Sequence, residues 1–107
     1  MFEHFFKGHL RIQALREGPR GSLLEGFAEE LCHAGYAEIA ARRHIRAAEH
    51  VFCWIDRVEI PISNLTEDFL MDFDHHLERC RCPSYGHSDR LSLLNGARLF
   101  LKYLRCM

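Results

Sequence analysis

Basic side chains cluster on one face of the segment between residues 38 and 57, an arrangement suited to binding phosphate. At the 100° spacing of an α-helix, that face carries Arg42, Arg43, Arg46, His50 and Arg57, with Glu49 and Cys53 among them. The other side is apolar and consists of Ala41, Ile45, Ala48, Val51, Phe52 and Ile55. Such a helix can pack on a core and face phosphates at the same time. The alternative is a solvated charged face on an ordinary bundle helix.

A second candidate site combines histidines and cysteines in the later half of the chain. Its members are residue types that bind zinc: His75, His76, Cys80, Cys82 and His87. The spacing argues against zinc, because a Cys-x-Cys pair on a continuing helix points its thiols to nearly opposite sides. Histidines near a helix C-terminus also favour the negative end of the helix dipole, which is the alternative explanation. We therefore predict no metal and no other cofactor.

No pattern in the sequence predicts a catalytic site. Cys32 and His33 are adjacent, so on a helix they point about 100° apart and cannot act as a nucleophile with its base. The paired acids Glu29 and Glu30 carry no feature that would raise a carboxyl pKa. There is no glycine-rich phosphate loop, and we expect no small-molecule substrate.

Four predicted helices position these residues, and an N-terminal lead-in precedes them. Residues 1–21 end in a glycine- and proline-containing break, so we expect an irregular lead-in there. Ser22 and Glu25 form a capping-box pattern at the start of the first helix, and Gly35 is its expected stop. The second helix runs from about residue 38 to 57. Pro61 then forbids a helix, so residues 58–63 are expected to be extended.

The last two predicted helices complete an all-α bundle. Thr66 is the expected N-cap of the third helix, and Ser88 that of the fourth. The fourth helix carries Gly96, which either allows a close helix approach or has no role. Its buried face holds Leu93, Leu94, Ala97, Phe100, Leu101 and Leu104, and its opposite side holds Arg98, Lys102 and Arg105. Four helices with short loops predict a compact four-helix bundle.

Composition indicates a single globular domain that is not anchored in a membrane. A chain of 107 residues with 48% hydrophobic residues supports one modest core. No apolar run could span a bilayer and the N-terminus does not resemble a secretory signal, so we expect a cytoplasmic protein. Five scattered cysteines predict free thiols. The net charge of −1 predicts that any nucleic-acid binding is weak and needs a second domain.

Three segments resemble the core-binding domain of tyrosine recombinases, the phage-type integrases. Residues 35–55 resemble the opening of that domain's second helix, and Trp54 and Ile55 fit the Trp-Leu pair at the end of its pattern. Residues 64–69 resemble the Leu-Thr-acidic start of the third helix, and residues 97–104 resemble the last helix. The chain departs from the family pattern at Ala37, Ala40 and His44, where the family often has Ser, Thr and Tyr.

The resemblance covers roughly residues 22–105 and implies a SAM-like DNA-binding domain over residues 22–107, after the lead-in of residues 1–21. It implies that the second and fourth helices lie along the major groove of double-stranded DNA. The contacts would then come from Arg42, Arg43, Arg46, His50, Arg98, Lys102 and Arg105. Most of these would bind phosphate and set the register, and one or two would reach a guanine edge.

The family's chemistry, DNA integration and recombination, uses a tyrosine nucleophile helped by arginines and a histidine in a second, C-terminal domain. This chain stops at Met107, and Tyr36, Tyr85 and Tyr103 match no nucleophile motif, so we expect no enzymatic activity from it. In a full-length protein the resemblance implies other recombinase subunits as partners.

The competing hypothesis is a helical protein–protein interaction module that does not bind DNA, since fold does not fix function. The orientation of the two basic helices separates the hypotheses. One merged basic stripe would favour DNA, whereas faces that point apart, with acids between them, would favour the interaction module.

Overall fold

The described part of the chain is arranged around one long central helix. The computed structural model describes residues 2–18, 20–78 and 90–106. Its α-helices are α1 (His9–Glu17), α2 (Gly21–His33), α3 (Glu38–Val58), α4 (Glu67–Glu78) and α5 (Arg90–Arg105). Single 3₁₀ turns occur at Phe2–His4 and Ile62–Asn64. These residues contain no β-strand, which confirms the predicted all-α class.

The expected irregular lead-in is wrong for much of its length, because it contains α1. The described residues therefore form five α-helices rather than four. Phe2, Phe5, Phe6 and Leu15 join the same hydrophobic core as the later helices. A nine-residue helix is marginal by itself, so this one depends on packing that the local pattern does not reveal.

The first predicted helix is α2. Its predicted C-terminal end is confirmed, whereas its predicted N-terminal cap is wrong. The capping box is wrong, because the helix begins at Gly21 and the Glu25 carboxylate accepts a hydrogen bond from Arg16 Nε at 3.0 Å. The stop is right, since Gly35 has a φ of 83° and the Tyr36 N–H donates to the Leu31 carbonyl oxygen at 3.1 Å. The predicted buried stripe is confirmed: Leu24, Phe27, Ala28 and Leu31.

The second predicted helix is α3, the longest of the described helices, and its apolar stripe is confirmed. None of the six predicted residues of that stripe is more than 4% exposed. The helix ends where Glu59 adopts a left-handed conformation with a φ of 58°, and its N–H donates to the Ile55 carbonyl oxygen. The chain is extended at Pro61 and then forms the second 3₁₀ turn, which the sequence did not predict.

The fourth predicted helix is α5, and its contact with α3 is the most extensive between any two described helices. A Cβ atom at Gly96 would lie 2.6 Å from Ala47 Cβ and 3.2 Å from His44 Cα. The rings of Phe52 and Phe100 meet edge to face at 5.1 Å. Gly96 therefore allows the close approach that was one of its two predicted roles.

The third predicted helix, α4, packs against α3 and contacts both ends of α5. The Trp54 ring of α3 lies 5.2 Å from Phe69 and 5.7 Å from Phe73. At the start of α5, Arg90 pairs with Asp74 and Glu78 of α4. Among the helices described, none combines the length and apolar character that a bilayer span requires.

Candidate nucleic-acid interface

Three of the arginines predicted on the basic face of α3 lie near its N-terminal end and share one side of the helix: Arg42, Arg43 and Arg46. Arg43 is exposed, whereas Arg42 and Arg46 are partly buried. Arg42 Nη1 donates to Glu38 Oε1 at 3.3 Å and to the Phe5 carbonyl oxygen at 3.5 Å. The N-terminal segment therefore borders this basic face at Phe5, directly after the first 3₁₀ turn.

His50 does not belong to the exposed basic face, so its predicted position is wrong. Its side chain is only 5% exposed, because α4 packs on that edge of α3. The ring meets Phe73 edge to face at 5.4 Å, and its Nε2 atom lies 3.3 Å from His76 Nε2. Burial and, to a smaller extent, the neighbouring His76 lower the pKa of His50 to about 4, so the ring is neutral near pH 7.

The predicted cations of α5 share a second exposed face. Arg98, Lys102 and Arg105 are all exposed. Arg105 Nη1 lies 3.4 Å from Glu67 Oε1, at the start of α4. Lys102 borders a cleft that also contains Glu30 of α2. Acids from two neighbouring helices therefore flank this face.

Most of the cations on the two basic faces turn away from the contact between α3 and α5. On α3, Ala47 meets α5, and Arg42 and Arg46 are rotated from it by about 140° and 100° around the helix axis, whereas Arg43 is rotated by only about 40°. On α5, Gly96 meets α3, and Arg98 is rotated from it by about 160°. The faces therefore do not merge into one stripe across this helix pair.

The cationic side chains fall into two groups by their partners. Many arginines neutralise acids within the fold: Arg11 pairs with Glu49, Arg16 with Glu3 and Glu25, Arg20 with Asp56, Arg42 with Glu38, Arg90 with Asp74 and Glu78, and Arg105 with Glu67. Within residues 2–18, 20–78 and 90–106, five others make no ion pair: Lys7, Arg43, Arg46, Arg98 and Lys102. These five are the cations most available to an external anion.

Sequence reasoning missed the contribution of α1 to the basic side of α3. Arg11 Nη1 donates to Glu49 Oε2 at 3.0 Å, and its guanidinium lies 5.6 Å from the centre of the Phe6 ring. Glu49 was the acid that interrupted the predicted basic face, and Arg11 neutralises it. The position of Glu49 inside the basic stripe was the sequence feature that could have indicated a basic partner from another helix.

Most of the other sequence candidates fall outside the part of the chain that the structure describes. His75 is exposed on α4, while Cys80, Cys82, His87, Ser88 and Tyr85 lie outside the described residues. Cys32, Cys53 and Cys106 are free thiols.

Comparison with known proteins found no matching family model, curated protein or solved structure.

Proposed function

We propose that this chain is a DNA-binding domain of the tyrosine-recombinase core-binding type that contacts double-stranded DNA mainly through α3. Helices α2 to α5 would form the SAM-like bundle that the resemblance implies, with α1 packed against it. The observation that carries the proposal is the pairing pattern on α3, where Arg43 and Arg46 make no ion pair with the described residues. Side chains that the fold does not use to neutralise acids are available to a polyanion.

The neighbouring Arg42 of α3 can join this contact, because breaking its ion pair with Glu38 costs little free energy. Arg42 is held by Glu38 in an exposed i,i+4 pair, and such pairs contribute only about 0.3–0.5 kcal/mol. A phosphate can therefore compete with Glu38 for this guanidinium. Arginine suits the role because its planar group donates two parallel hydrogen bonds to phosphate oxygens.

Affinity should be low for the isolated chain. Its net charge is −1, so acids elsewhere on the surface repel DNA and offset the attraction of the basic face of α3. A second DNA-binding domain on the same polypeptide would raise the effective concentration and supply the missing affinity. The α5 cations face another direction and would contribute only if the DNA is enclosed from two sides.

Diverging basic faces are the arrangement expected of a helical protein–protein interaction module, which is the second candidate. The specific observation in its favour is that the α3 and α5 faces diverge, with acids of α2 and α4 beside α5. Under this alternative, the unpaired cations would meet an acidic protein surface.

Fluorescence anisotropy with labelled duplex across a salt series tests the proposal. Replacing Arg43 and Arg46 by Ala should weaken binding to all duplexes. It should also reduce the slope of the logarithm of the binding constant against the logarithm of the salt concentration by up to about two, since each phosphate contact contributes roughly 0.9 to this slope. The matched control replaces Glu29 and Glu30 on α2 by Ala and should not weaken binding. Circular dichroism checks that every variant remains folded.

The outcomes separate the two candidates. If the α3 double variant is folded and binds like the wild type, α3 is not the DNA-binding face. If the wild type fails to bind duplex even at low salt, the interaction module becomes the better explanation.

A further inference from the structure

The outer side of α5 carries a row of cations beside an apolar groove. Arg98, Lys102 and Arg105 are all exposed, and at helical spacing they lie within about 60° of one another around the axis of α5. Next to them, α4 and α5 border a cleft of about 320 Å³ that is lined by the three cations and by Leu70 and Leu101. Described residues alone therefore combine positive charge with an apolar surface here.

The groove continues beyond this first cleft. A second cleft, of about 340 Å³, shares Leu101 and Arg105 with the first and is also lined by Ile62, Leu65 and Leu104. Leu65 and Leu101 belong to the hydrophobic core, so the base of the groove is a place where the core reaches the surface. Aliphatic side chains of a partner would release water from these leucines, which favours association.

The cations beside the groove remain available to a partner. Arg98 and Lys102 make no ion pair with the described residues. The Arg105 guanidinium lies 3.4 Å from a Glu67 carboxylate oxygen, but the two side chains are 51% and 78% exposed. Water screens such a pair and its contribution to stability is small, so a carboxylate from another protein can replace Glu67. The charge of the groove therefore selects an acidic partner.

The spacing of the cations indicates the secondary structure of that partner. At a rise of 1.5 Å per residue, Arg98 and Lys102 are about 6 Å apart along the axis of α5, and Lys102 and Arg105 about 4.5 Å. Acids at positions i, i+4 and i+7 of another helix have the same spacing and share one face. Its neighbouring aliphatic residues would enter the groove, as in other complexes of an amphipathic helix with a hydrophobic groove. The backbone of DNA offers no aliphatic group for this purpose.

We propose that the groove between α4 and α5 binds an acidic amphipathic helix of a partner protein. Its carboxylates pair with Arg98, Lys102 and Arg105, and its aliphatic side chains cover Leu70 and Leu101. Arg98 is rotated by about 160° from Gly96, where α5 meets α3. The groove is therefore separate from the basic face of α3, and its binding does not depend on whether α3 binds DNA.

Fluorescence anisotropy with a labelled peptide and the full chain tests the groove. The peptide has about 20 residues, enough to form a helix, with Glu at positions i, i+4 and i+7 and Leu at the adjoining positions. The wild type should bind it about five- to tenfold more tightly than either of two control peptides. One control has Gln in place of each Glu and loses the ion pairs, and the other has Ala in place of each Leu and loses the apolar contacts.

Charge changes on the protein locate the binding surface. Lys102→Glu should weaken binding of the acidic peptide about tenfold and favour a peptide with Lys in place of each Glu. Lys7→Glu makes the same change of charge at another exposed cation without an ion pair, and it should bind like the wild type. Glu67→Gln should strengthen binding about two- to threefold, because it frees Arg105 and removes a competing carboxylate. Circular dichroism checks that each variant is folded.

Three results would overturn the proposal. In the first, the acidic peptide does not bind, or it binds Lys102→Glu as tightly as the wild type. In the second, the control peptide without leucines binds as tightly as the one with them, so the apolar groove has no part. In the third, Lys102→Glu abolishes binding of duplex DNA but not of the peptide, which would assign this face of α5 to nucleic acid.

Discussion

Adding a methyl group at Gly96 should destabilise the fold, even though alanine is the better helix residue. The new Cβ would lie 2.6 Å from Ala47 Cβ and 3.2 Å from His44 Cα. Carbon atoms prefer about 3.5–4.0 Å, so the overlap with Ala47 is about 1 Å. Both contacted atoms are fixed to the α3 backbone, so a change of rotamer cannot relieve the overlap and the helices must separate.

The two opposing terms can be compared directly. Overpacking of a filled core costs about 1–3 kcal/mol, and rigid neighbours favour the upper half of that range. Replacing glycine by alanine in a helix gains about 1 kcal/mol. Gly96→Ala should therefore lower the free energy of unfolding by about 1–2 kcal/mol.

Urea unfolding monitored by circular dichroism measures this change, and two variants control for it. Asn95→Ala changes the exposed neighbour on the same helix and should be neutral or slightly stabilising. The double variant Ala47→Gly with Gly96→Ala removes the clashing methyl, so the cycle should show a favourable coupling of about 1 kcal/mol or more. If Gly96→Ala alone is as stable as the wild type or more stable, α3 and α5 do not approach as closely at Gly96 as the 2.6 Å distance indicates.

Arg16→Gln should lower the melting temperature at pH 7, because Arg16 donates to both Glu3 and Glu25 and holds the pKa of each below its usual range. Carboxylates with a lowered pKa stabilise the fold above their ordinary pKa of 4.5 and lose this effect as the pH falls below it, so melting curves of the two proteins should converge in acid. The isolated 107-residue chain should leave supercoiled plasmid intact on a gel, since Tyr36, Tyr85 and Tyr103 match no nucleophile motif and burial raises the pKa of the Tyr103 hydroxyl. Relaxation lost in Tyr36→Phe or Tyr103→Phe would contradict this expectation. All five cysteines should react with a thiol reagent in the denatured, unreduced protein, and a lower count would reveal a disulfide.

Local sequence patterns were sufficient for α2 to α5. The apolar stripe of α3 repeats at helical spacing over about four turns, so its buried face could be predicted directly. Gly35 marks a helix end because its positive φ is costly for other residues. The cap at Ser22 failed because the Arg16–Glu25 pair takes the acid that the capping box needed.

Long-range packing decided the rest. Helix α1 is too short to be stable by itself and forms because Phe6 and Leu15 find a core made by later residues. His50 lies at the border between the apolar and basic faces of α3. The sequence of α3 alone could not predict that α4 covers this position and brings His76 against it. A burial boundary on a helix depends on which neighbours pack there, and that information is not local.

The candidate site shows the same division. The periodicity of one helix places Arg43 and Arg46 on the same side of their own axis, and no other part of the chain is needed for that prediction. The rotation of α3 relative to α5 does not follow from the periodicity of either helix. It is set by the packing contact between Gly96 and Ala47. Sequence periodicity carries no information about rotation between helices, so only packing could show that the two basic faces diverge.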